Sequence, residues 1–204
     1  MTDSPMRPRV VRGALVQQAS PPRVVRFQFN PRTLNRSLTP AGAADAGGDG
    51  PTLPGPPVET LSFEAELDAT DALGAGDPNV EKRGLHGQLA LLELLLYPDL
   101  QDYAVSLAAM SAGVLELAPI GRPPLLFVWG ERRVLPVYLE SLSVVEEAWD
   151  ANLNPTRARA SFGLRVLRPS DVGASDPVNG LFLAHQARLE AFAATVVDNS
   201  GGGR

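Results

Sequence analysis

The sequence predicts an α+β, mainly β, fold: a small antiparallel β-barrel or sandwich with one flanking helix and a C-terminal helix. Three observations carry this. Strict apolar–polar alternation recurs at 23–29, 58–68 and 157–166, the period of half-buried strands. Most strands are joined by hairpin-length connections, not by the helical crossovers that parallel strands need. Helical stripes are confined to two blocks, about 80–113 and 177–197.

In chain order, Arg9 to Gln17 leans towards strand through Val10, Val11, Leu15 and Val16. Pro21-Pro22 separates it from a strand over Arg23 to Phe29, where Val25, Phe27 and Phe29 share one face. Asn30-Pro31 ends that strand, because proline gives no ladder donor and asparagine readily starts a turn. Arg32 to Leu38 then reads as a polar turn. Residues 40–57 hold ten glycines and prolines in eighteen positions, which predicts a mobile surface loop.

Val58 to Asp68 is the cleanest strand. Leu61, Phe63, Ala65 and Leu67 point one way, and Glu64, Glu66 and Asp68 point the other. A loop follows, with Asp77 or Asn79 placed to cap a helix from Val80 to Tyr97. Its stripe is Leu85, Leu89, Leu92 and Leu96, and Pro98 stops it. Asp99 to Gly113 suits a second short helix. Leu125 to Trp129 is a short buried strand that turns at Gly130 into a long one, Arg133 to Glu147, apolar on both faces. Residues 150–156 form a turn. The last strand sets Ala158, Ala160, Phe162, Leu164 and Val166 against Arg157, Arg159 and Arg165. The C-terminal helix carries Leu181, His185, Leu189 and Phe192. The expected organisation is therefore a flexible 1–8, a β domain over 9–168, a linker and helix over 169–197, and a flexible tail over 198–204.

Composition narrows the function. The chain has 204 residues, a net charge of −5, no cysteine and two histidines. That excludes disulfides, thiolate chemistry and cysteine zinc sites, and leaves little for a histidine metal centre. No apolar run is long enough to span a membrane, and no secretory signal is read at the N-terminus. The acidic balance argues against nucleic acid as a partner. Charge is unevenly spread: residues 1–40 carry net +6, residues 41–150 net −13 and residues 151–204 net +2. Basic ends and an acidic middle can shield one another or present complementary faces to copies of the same chain.

No catalytic, cofactor or metal site emerges. His86 lies between a leucine and a glycine with no metal-site spacing around it, and His185 sits on a helix stripe. Glu146 and Glu147 are adjacent in a strand and point to opposite faces, so they cannot share a proton-transfer site. Gly74-Ala75-Gly76 lacks the later glycine or lysine of a phosphate loop. The acids Glu64, Glu66, Asp68 and Asp71 lack the spacing of a calcium loop. A non-enzymatic protein with a solvated or partner-facing acidic strand is the better reading.

Four segments carry a family resemblance: Phe27-Gln28-Phe29-Asn30-Pro31, then Leu61 to Asp68, then Pro123 to Gly130, and Asn152 to Ala160 leading to Leu167. In this order and spacing the chain, from about Arg9 to Leu167, resembles the contractile injection system tube protein family of phage-tail-like particles. The resemblance implies a tube-like barrel assembled as a hexameric ring, a structural adaptor or tube initiator in the baseplate. Its implied partners are further copies of itself, the inner tube protein, the spike hub and other baseplate proteins. It implies a cytoplasmic protein within a particle that is later released or docked at a membrane. Many members also carry a LysM peptidoglycan-binding domain; only a linker and one helix follow Leu167 here. The competing classes are a free-standing ligand-binding barrel and an enzyme with an unrecognised site.

The candidate interface follows from the charges. Arg157, Arg159 and Arg165 would meet Glu64, Glu66 and Asp68 within one barrel or across a ring seam. The seam is favoured, because exposed pairs within one subunit contribute little whereas repeated pairs across a ring set register. Trp129 is expected to anchor either the barrel's own core or an adjacent subunit. Phe27, Phe29, Asn30, Pro31, Gly130, Asn154 and Pro155 are the structural positions of the motifs.

Overall fold

A computed structural model describes residues 10–19, 21–41, 55–113 and 124–200, without the side chains of 197–200. Seven strands form one antiparallel sheet: β1 (Ala14–Gln17), β2 (Arg23–Arg26), β3 (Leu34–Thr39), β4 (Val58–Asp68), β5 (Leu125–Val128), β6 (Val134–Trp149) and β7 (Pro155–Val166). Their order is β2-β1-β5-β6-β7-β4-β3. The helices are α1 (Thr70–Gly74), α2 (Pro78–Arg83), α3 (His86–Glu93), α4 (Leu100–Ser111) and α5 (Pro177–Ser200), with a short 3-10 turn at Pro169–Asp171. The fold is thus α+β and mainly β, as the alternation predicts.

The sheet does not close into a barrel; β2 and β3 remain its edges. It curls so far, however, that the chain just beyond β2 meets β4. Phe27 packs edge-on against Phe63 at 5.2 Å between ring centres and lies 6.1 Å from Phe162. Phe63, Phe127 and Phe162 continue this aromatic core, where Leu15, Leu61, Leu135 and Val137 are also buried. Helix α3 covers one side through Leu89 and Leu92, with Leu85 before it and Leu95 after it.

Three local expectations are corrected. The segment read as a polar turn at 32–38 contains β3, which pairs with β4 from Leu34↔Phe63 to Thr39↔Val58. An edge strand exposed along nearly its whole length has no buried face to impose alternation. The single helix expected over 80–97 is two helices. Gly84 breaks it, at φ 53° and ψ −133°, a conformation essentially restricted to glycine. The presumed loop after β4 begins with α1, and α2 is capped by Asp77, whose carboxylate accepts from the Asn79 N–H at 2.9 Å. The expected N-terminus 1–8, most of the loop 40–57 and residues 201–204 of the tail lie outside the described residues.

Candidate subunit interface

Strand stagger defines the region. β5 pairs with only the first four residues of β6, from Val134↔Val128 to Val137↔Leu125. β7 pairs with β6 from Val137 out to Trp149. Residues 138–149 of β6 therefore have one unpaired edge among the described residues. They form, with β7 and β4, a three-stranded tongue projecting past the rest of the sheet. Val145 and Trp149 are each 53% exposed on it. Three irregularities in register, at Glu140, at Glu147 and between Ala148 and Trp149, increase its local twist.

The predicted charges converge on this tongue. Arg159 lies opposite Glu66, and Arg157 opposite Asp68, in the β4–β7 register. Asp68 accepts from Arg157 at 3.1 Å and from the Thr70 N–H at 2.8 Å. The Thr70 hydrogen bonds first, then Arg157, hold its carboxyl below its ordinary value. Arg159 bonds Glu147 closely and lies 3.7 Å from Glu64; the hydrogen bond to Glu147 is the main cause of its raised value. Arg32 reaches Glu66 at 3.5 Å. Within the chain these arginines and acids already pair with one another, because β4 and β7 are direct neighbours and their polar faces coincide. These residues still form one solvent-facing surface of mixed charge.

Arg165 is committed elsewhere. It reaches Glu140 and Asp171, both at 3.0 Å, and lies over the Tyr138 ring. Arg168 joins it on Asp171 at 3.2 Å, tying the segment after β7 back to the sheet. Trp129 anchors the chain's own core: it stacks on Phe127 at 5.7 Å and contacts Phe27 at 6.5 Å. Gly130, at φ 70°, makes the turn from β5 towards β6.

The other motif positions hold the turns and connections beside the tongue. Asn30 accepts from the Gly13 N–H and donates to the Val11 carbonyl, both at 2.9 Å, while neighbouring Phe29 is half exposed. Pro155 is buried at the start of β7 and its carbonyl accepts from the Leu85 N–H at 2.7 Å. Asn154 bonds Asp150 through both its backbone N–H and its side chain, at 2.8 Å each. Those two bonds chiefly lower the Asp150 carboxyl, which also accepts from the Asn152 N–H. Sequence reasoning missed the part played by Asp150, although an aspartate opening D-A-N-L-N-P is the usual composition of a side-chain-bonded turn. It also missed Gln28, described below, which has no such signature.

Among the described residues no cluster of three or more acidic or histidine side chains is placed to hold a metal, and no helix is long and apolar enough to cross a membrane. One apolar cavity, about 180 Å³, opens between the end of β2 and β4 beneath α3. Val25, Phe27, Ala65, Leu91, Leu92 and Phe162 are among its lining residues. No protein-family model matches the chain, and no curated protein matches it.

Proposed function

We propose that the chain is a structural subunit of a contractile injection system, a ring-forming inner-tube or baseplate adaptor joining the tube to the spike hub. The family name rests on the four-segment resemblance, three of whose segments (27–31, 61–68 and 152–160) meet at the tongue. The observation that carries self-assembly is the edge of β6 from Tyr138 to Trp149, unpaired among the described residues, because an open strand edge offers a row of unused backbone donors and acceptors to another chain. Helix α4 supports the same reading. It has no buried residue, and it exposes Leu100, Tyr103, Val105, Leu107 and Met110.

Native mass spectrometry and negative-stain images over a rising concentration series test this. Rings, or co-purification with an inner tube or hub protein, are expected. A protein that stays monomeric and binds neither would end the proposal. Reversing Arg157 and Arg159 to glutamate should leave the monomer folded, since exposed pairs contribute about 0–1 kcal/mol each, and should disrupt assembly.

The apolar cavity favours a second reading, a free-standing module for a small apolar ligand. Under that reading the protein is monomeric, and small aromatic probes raise its melting temperature by filling the space beside Phe27 and Leu92.

A further inference from the structure

His185 is the chain's buried imidazole. It lies on the first half of α5, 9% exposed, and neither ring nitrogen has a hydrogen-bond partner among the described residues. Helix α5 packs on β6 and on the 3-10 turn, and the first half of the helix buries Val178 and half-buries Leu181 and Phe182. Four charged groups lie near enough to act electrostatically on the ring: Glu59 of β4, Arg36 of β3, Arg133 just before β6, and Arg188 of α5 itself. Glu59 is already bonded by Arg36. A proton on His185 would therefore enter a site holding three guanidiniums and one engaged carboxylate. Two buried nitrogens without partners already cost the packed state; a charge there costs more.

We propose that His185 is an acid-sensitive release for helix α5: protonating its imidazole undocks the first half of the helix from the sheet and frees the apolar side of Val178, Leu181 and Phe182. Burial first, and the arginines with it, hold the imidazole below its ordinary value of 6.5 despite the opposing pull of Glu59. The docked state then binds its proton less readily than the undocked one. Docking is fully favoured above pH 6.5 and weakens as pH falls from 6.5 through the lower value of the docked state. The inference does not depend on ring formation.

The test uses the whole chain, in which His86 is exposed and is the other histidine. Nuclear magnetic resonance should show His185 titrating below the ordinary imidazole value of 6.5. Amide exchange over 178–190, corrected for intrinsic rates, should lose protection between pH 7.5 and 5.5 by up to about tenfold, the ceiling set by a pH about one unit below the undocked value. His185→Phe should abolish that loss while His86→Gln preserves it. His185→Gln, which keeps a polar side chain without the titration, serves if the phenylalanine variant folds poorly. A His185 midpoint at or above 6.5, or acid loss of protection that persists in the His185 variants, would overturn the proposal.

Discussion

The side chain of Gln28 treats Asp68 as a neighbouring strand would. Its carboxamide donates to the Asp68 carbonyl at 2.9 Å and accepts from the Asp68 N–H at 3.0 Å. Here the curled sheet comes back on itself, two residues past the end of β2. One amide side chain thus spans the gap where a closed barrel would have a ladder.

Gln28→Leu should lower stability by about 1–3 kcal/mol, because it strips both partners from a partly buried backbone unit. Denaturant titration measures the loss. An unchanged midpoint would mean that water replaces the amide at no cost.

Gly84→Ala should destabilise by roughly 2–3 kcal/mol. Its positive φ excludes a side chain, and a Cβ there would overlap the Pro155 carbonyl that receives the Leu85 N–H. Thermal unfolding decides this, and an alanine variant that unfolds like the parent refutes the close approach.

Leu153→Gly should stabilise the protein by about 1 kcal/mol. Leu153 is 77% exposed and holds φ at 63° in the turn that Asp150 organises, so its removal relieves backbone strain without opening the core. A fall in melting temperature would instead assign the exposed leucine a packing role.

Acid should loosen the segment after β7. Burial alone would raise the Asp171 carboxyl, but hydrogen bonds from Arg168 and the charges of Arg165 and Arg168 outweigh it and lower the value below 3.8. Its contribution is therefore fully present above pH 3.8 and is lost as pH falls through the folded value. Asp171→Asn should be less stable at neutral pH and should flatten the stability profile below about pH 4. Parallel acid profiles for the two proteins would exclude the arginine clamp.

What was legible in the sequence follows from burial. β4 begins and ends where alternation places it, because Leu61, Phe63 and Ala65 must face the core while Ser62, Glu64 and Glu66 face water. β7 is legible for the same reason through Ala158, Ala160, Phe162 and Leu164. β3 was not, since Asn35 to Thr39 are exposed and only the neighbouring β4 makes them a strand. The leucine stripe through 85–96 hides the break at Gly84, which lies against the start of β7 at Pro155, some seventy residues away. In α5 the stripe holds for His185, but Leu189 and Phe192 are each 42% exposed. The charge pattern identifies a polar face on β4 and β7. It carries no information on whether each arginine meets an acid of its own chain.

The stagger of the sheet also has a mechanical consequence. Ladder hydrogen bonds lie across the strands, so a force along a strand loads them together. β4 is registered with β7 over nine residues, Thr60 to Asp68, and β7 with β6 to the tip. A tension applied at the tip near Trp149 and opposed at Val58 would load the β4–β7 ladder in shear. The β6–β7 ladder, separated from its open end at Val137 and Val166, would peel one pair at a time. The tongue is stiff along its axis and weak across it.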